Sequence, residues 1–187
     1  MCTDWRRKVR NTTTGMVFLS MLLSGAIFGF FYAWVCSTMW GLDAADPRVA
    51  IAAMQAMNAS VRNVVFAPAF FGTPFALLLT SGLLLRDGFR SGALGFSLGG
   101  VIYLCCGMVL TMIVNVPMNE VLAGVTVPED IEAARHIWAE YSRPWQVWNQ
   151  IRTTASGIAL LATIGGLISM VPFRRKTTSY PDRNGPR

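Results

Sequence analysis

Residues 15–40 read GMVFLSMLLSGAIFGFFYAWVCSTMW, a run without one charged side chain. A helix needs roughly 20 mostly apolar residues to cross a hydrocarbon slab, so this run is long enough to span a bilayer. WRRKVR precedes it, as in a signal peptide, but the run exceeds the roughly 7–15 residues of a signal core and lacks well-placed small residues for cleavage. It reads as a retained span. Three further runs follow, at 64–85, 92–114 and 150–172. Of the 187 residues 53% are hydrophobic and 14% charged, and the mean hydropathy is +0.44. That balance suits a bilayer rather than a soluble core. The expected fold is an all-α integral membrane four-helix bundle with short interfacial helices on the extracytoplasmic side. One domain, 15–172, would lie between a basic stretch, 1–14, and a polar tail, 173–187, expected to be disordered.

Four spans place both termini on one side. That side carries Arg6, Arg7, Lys8, Arg10, Arg86, Arg90, Arg174, Arg175, Lys176, Arg183 and Arg187, against Arg48, Arg62, Arg135, Arg143 and Arg152 on the other. The positive-inside rule makes the termini cytoplasmic. The formal charge of +6 then reflects anchoring and contact with the lipid bilayer, not nucleic acid. Cys2, Cys36, Cys105 and Cys106 form no CxxC pair, and His136 is the one histidine, so no zinc or haem spacing exists. A thiol–quinone oxidoreductase lacks the cysteines it needs. Cys105 and Cys106 are expected to pack within their span. Nor does any internal repeat point to a transporter, although so short a chain could assemble as a homo-oligomer.

Local signals refine the picture. Asp46-Pro47 is a helix start leading into RVAIAAMQAMNASVRN, 48–63, where Gln55, Asn58 and Arg62 form a polar stripe. A second short helix is expected over 129–141, after which Pro144 restarts the chain. Pro68 and Pro74 are expected to bend the second span or turn carbonyls inward. Gly25 with Gly29, and Gly95 with Gly99, have the spacing of close helix packing.

One constellation carries chemistry. Trp145, Trp148, Asn149 and Arg152 are spaced to point one way from a helix. Asn115 and Asn119 end the third span, with Pro117 interrupting the helix between them. The topology brings these ends and the 46–63 helix to one membrane face. The expected pocket contains Asn58, Arg62, Asn63, Asn115, Asn119, Asn149 and Arg152, walled by Trp145, Trp148 and Tyr141. An arginine near hydrocarbon costs roughly 2.5–3.5 kcal/mol unless partnered. Glu120, Asp43, amide carbonyls or an anionic ligand could be that partner. Boundary tryptophans and cross-helix asparagines also serve as belt and packing residues, and His136 reads as a surface histidine.

Asn115-Val-Pro-Met-Asn119 followed by Trp145-x-x-Trp148-Asn149-x-x-Arg152 resembles the four-span membrane family that includes the fungal anthrone oxygenases. MQAMNASVRN fits the first half of that pattern, and the resemblance runs over roughly 15–170. It implies oxidation of a hydrophobic aromatic small molecule, an anthrone, by O2 to an anthraquinone, with no metal or flavin cofactor. Deprotonation would give a delocalised enolate that reacts with O2. Arg152, with Asn149, Asn119 and Asn115, would stabilise the oxyanion, and Trp145 and Trp148 would stack on the substrate. His136, Glu120 or Tyr141 would supply the base, or a substrate phenol already partly ionised would need no strong one. The alternative is a non-catalytic protein that binds a lipid or hydrophobic ligand, or an accessory subunit of a membrane complex.

Overall fold

The computed structural model describes residues 10–171, all-helical with short turns. The basic segment before Arg10 and the polar tail lie outside the described residues. Four helices are long and apolar enough to cross a membrane: α1 (Asn11–Ala44), α3 (Phe66–Arg86), α4 (Arg90–Ala123) and α5 (Ile131–Ile168). A shorter helix, α2 (Pro47–Ser60), joins α1 to the turn before α3. Helix α1 packs on α3 and α5, and α4 packs on the same two.

Small and hydroxylated side chains make these contacts. Gly95 and Gly99 press against the backbone of Gly166, Ala162 and Ala159 on α5, where a Cβ on either would meet atoms closer than 3 Å. Gly25 and Gly29 differ: a Cβ there would meet nothing within 4 Å, so the packing expected of that pair is not made. Ser20 and Thr80 share a buried hydroxyl bond of 2.8 Å between α1 and α3. Such bonds average about 0.6 kcal/mol in membrane proteins and mainly set register.

Pro74 behaves as expected, whereas Pro117 and Pro144 do not. Pro74 lies inside α3 without ending it. The carbonyl it cannot bond, that of Phe70, accepts from the Tyr103 hydroxyl at 3.0 Å on α4. Pro117 does not interrupt its helix, because the preceding turns, Tyr103–Val109 and Thr111–Asn115, are wound as wider π-turns that make room for the ring. Nor does Pro144 restart the chain. The expected 129–141 helix forms the first turns of one continuous α5, started by Asp130, whose carboxylate accepts from Ala133 N at 2.8 Å. Pro144 and Glu140, whose carbonyl loses its bond, both lie on the exposed face. Cys105 and Cys106 also face outward rather than packing inside. Tyr103 and Gly107 fill the buried face of those turns.

Helix α2 starts as expected. The Asp46 carboxylate accepts from Arg48 N at 2.9 Å, and hydrogen bonds from the Arg48 guanidinium hold its pKa down at about 2, so the cap stays charged. At the opposite end of the spans, Thr13 donates to Asp87 at 2.7 Å and lowers that carboxyl below its ordinary range. Ala50, Ile51 and Met54 of α2 pack with Trp138, Tyr141 and Trp145 of α5. Gln55 donates to the carbonyls of Leu122 and Val125, both at 2.8 Å, tying α2 to the end of α4. Helix α2 ends at Ser60, so Arg62 lies in the following turn and not on the expected stripe.

Asp43, a candidate partner for the buried arginine, is engaged elsewhere. It accepts from Trp138 Nε1 (2.9 Å), Ser142 Oγ (2.7 Å) and Gln146 Nε2 (2.8 Å), clamping the end of α1 to α5. Asp43→Ala is expected to cost about 1–2 kcal/mol, the low end for bonds to a charged group because the site is partly solvated. Thermal unfolding in detergent checks this. Asp43→Asn, which still accepts, should recover part of the loss.

Candidate functional site

At the α2 end of the spans, α1, α3, α4 and α5 enclose a cavity of about 580 Å³. Phe30, Phe31 and Trp34 of α1, and Phe66 and Phe70 of α3, give it an aromatic wall. Thr111 and Asn119 of α4, with Trp145 and Arg152 of α5, give it a polar one. Asn58, Arg62, Asn63 and Glu120 line the rim nearest α2. Trp34 and Thr111 come from π-wound turns, a winding that recurs at functional sites.

Arg152 is 5% exposed and has no carboxylate partner among the described residues. Its Nε donates to Asn149 Oδ1 at 2.8 Å, and one terminal nitrogen donates to Thr111 Oγ1 at 3.2 Å. The Thr111 hydroxyl donates in turn to the Gly107 carbonyl at 2.6 Å, which fixes its lone pair toward the arginine. The guanidinium carbon lies 4.5 Å from the centroid of Phe31 and 5.2 Å from that of Trp145, within cation–π range. Neutral dipoles and ring faces orient the charge without cancelling it. An unneutralised cation in an apolar cavity attracts whatever negative charge a ligand carries or develops.

Asn119 is oriented by a second network. Its Oδ1 accepts from Tyr141 Oη (2.8 Å) and Trp145 Nε1 (2.9 Å). Indole nitrogen can only donate, so the amide oxygen must face it. The amide nitrogen of Asn119, a cavity-lining residue, makes no hydrogen bond to another described residue. Asn58 Nδ2 donates to Tyr141 Oη at 3.4 Å, extending the network to α2.

The remaining expected site residues divide. Asn149 is buried and accepts from Arg152, with its amide nitrogen 3.5 Å from the Phe31 carbonyl. Asn115 is wholly buried, does not line the cavity, and neither polar atom of its amide has a protein partner. Tyr141 likewise stands behind Asn119 rather than in the cavity wall. Asn63 lines the rim, but it caps α3: its Oδ1 accepts from Val65 N and Phe66 N, and its Nδ2 donates to the Ser60 carbonyl. Arg62 pairs with Glu120 at 3.5 Å, both well exposed, an arrangement of small energetic worth.

Two expected residues stand apart. Trp148 is 37% exposed and outside the cavity lining. On a helix turning 100° per residue it lies 60° off Trp145, away from the arc shared by Asn149 and Arg152. His136 is 73% exposed and sits 3.5 Å from Glu140 on the surface of α5. Thr111 and Phe31 are additions. Thr111 could have been found, since it precedes Asn115 and Asn119 by four-residue steps; Phe31, one aromatic among many in an apolar span, could not.

Fold and cavity together define a multi-pass helical membrane protein with an aromatic-walled cavity beside a buried arginine. The chain belongs to the anthrone oxygenase family, whose sequence model, described as Anthrone oxygenase, matches residues 62–162. That match takes in both Asn115–Asn119 and Trp145–Arg152 and begins at Arg62. Comparisons with curated proteins and with solved structures return no match.

Proposed function

We propose that the chain is a cofactor-independent oxygenase of the anthrone type, with its termini cytoplasmic and its cavity in the extracytoplasmic half of the bilayer. The observation that carries the reading is the Arg152 guanidinium, buried, without an acidic partner among the described residues, and facing a cavity with aromatic walls. A flat tricyclic ketone fits such walls, and its carbonyl oxygen becomes anionic when the opposite methylene loses a proton.

The oxyanion would lie against Arg152 and the Asn119 amide nitrogen, with Asn149 and Thr111 holding the guanidinium in place. Charge that develops beside fixed donors in a dry site is stabilised more than in water, by about 2.7–4 kcal/mol per donor in comparable sites. The enolate transfers one electron to O2, and the resulting radical pair joins to form a carbon–oxygen bond. Protonation gives a hydroperoxide. Loss of the remaining hydrogen on that carbon and cleavage of the O–O bond yield the quinone carbonyl and one water. One anthrone and one O2 thus become one quinone and one H2O.

Among His136, Glu120 and Tyr141, Glu120 is the best placed to act as the base. It is a carboxylate in the cavity lining, whereas His136 faces outward and the Tyr141 hydroxyl is committed to Asn119. Glu120→Gln is expected to lower kcat by about 10²–10⁴-fold at neutral pH, the usual worth of a positioned base. The loss should shrink as pH rises and the anthrone ionises unaided. A pH profile of anthrone-dependent oxygen uptake in reconstituted vesicles tests both points. Wild-type protein that consumes no oxygen with any hydroxylated anthrone would sink the reading and leave a binding role.

A further inference from the structure

We infer that the Arg152 cavity is loaded sideways from the acyl-chain region of the bilayer, through a cleft between α3 and the second half of α4, by an uncharged hydrophobic molecule dissolved in lipid. The inference rests on reading this cavity as the ligand site, not on the oxidation chemistry.

Helix divergence opens the cleft. Helix α3 packs along Arg90–Ile102 and touches the π-wound turns Tyr103–Val109, but none of its Cα atoms comes within 8 Å of Thr111–Asn115 or Val116–Ala123. From Thr111 onward α4 keeps contact with α5 and its last turns meet α2, but it no longer touches α3. The cavity fills the space left between them.

The side chains at that gap are both cavity lining and outer surface. Phe71 on α3 is 47% exposed and Met112 on α4 is 45% exposed, yet both line the cavity. Half-exposed lining residues put this side of the cavity next to the outer surface. Ala67, one turn before Phe71 on the same face, leaves the gap wide. Phe71 lies five residues into α3, which at 1.5 Å per residue is about 8 Å below the helix start, at hydrocarbon depth for a helix of this length.

Polarity is graded to match. Arg62, Glu120, Asn58 and Asn63 stand at the rim nearest α2, while the side gap is bounded by Phe71, Met112 and Ala67. A molecule arriving from lipid would meet apolar groups until it reached Arg152. One arriving from water would have to pass the Arg62–Glu120 pair.

The test uses the full chain in phosphatidylcholine vesicles containing a phosphatidylcholine with a diazirine near the end of its acyl chain. After irradiation, adducts are mapped by peptide mass spectrometry. Adducts are expected inside the cavity, on Phe31 and Phe70, which are 1% and 3% exposed, as well as on outward residues such as Phe18. Ala67→Trp, which fills the gap, should cut the inner adducts at least fivefold and leave the Phe18 adduct unchanged. Adducts confined to outward faces would overturn the proposal, as would inner adducts that Ala67→Trp does not reduce. So would inner labelling by a sulfonated aryl azide added from water. These readouts report access and not turnover, so a failed anthrone assay leaves them interpretable.

Discussion

Arg152→Met is expected to lower anthrone-dependent oxygen uptake by at least about 10²–10³-fold, the loss seen when an oxyanion donor is removed, while the protein remains folded. Two opposing terms set the stability. Removing a guanidinium without a counter-charge relieves roughly 2.5–3.5 kcal/mol of burial cost. Against this, Asn149 Oδ1 loses its donor, and a buried acceptor without a partner costs about 1–3 kcal/mol. Thr111 loses less, because its hydroxyl still donates to Gly107. The terms nearly cancel, so the melting temperature in detergent should move by no more than about 5 °C. A structural ion pair would behave otherwise, since removing one partner of a buried pair costs about 3–5 kcal/mol. Arg152→Lys separates charge from shape: it keeps the cation but cannot bond Asn149 and Thr111 together, and intermediate activity is expected. Full activity in Arg152→Met would remove the residue from the mechanism.

Gly95→Leu is expected to unfold the α4–α5 interface. A Cβ at this position would lie 2.5 Å from Gly166 Cα, 2.6 Å from the Ala162 carbonyl oxygen and 2.8 Å from Gly166 N. All three are backbone atoms that cannot rotate away, so the cost should reach or pass about 3 kcal/mol, the upper part of the overpacking range. Loss of the monodisperse species on size exclusion, or a sharp fall in melting temperature, would register it. Gly29→Leu is the control: nothing lies within 4 Å of its added Cβ, and a change within about 0.5 kcal/mol is expected, as for other outward substitutions. Equal tolerance at the two positions would contradict the packing described for α4 and α5.

These glycine pairs show where reading the chain reaches its limit. Both have the same four-residue spacing, yet only Gly95 and Gly99 meet another helix. Spacing states which residues share a face and not what that face meets. The same holds for Trp145 and Trp148, of which one is enclosed and the other exposed, and for Cys105 and Cys106, which point outward. Prolines mislead differently: Pro117 and Pro144 lie within continuous helices because π-winding and an exposed carbonyl accommodate them, neither of which is visible locally.

Four spans, their approximate positions and the chemical identity of the polar cluster follow from the chain alone, because hydrocarbon thickness and the cost of buried charge act on any helix in the same way. Arg152 stands out on that ground whatever its neighbours are. What only the tertiary structure decided is which groups meet it: Thr111 and Phe31 come from other helices, Asp43 turns to Trp138, and Glu120 stays at the rim. Side-chain partners across helices depend on the azimuth and depth at which separate segments dock, and those are properties of the packed assembly rather than of any one stretch.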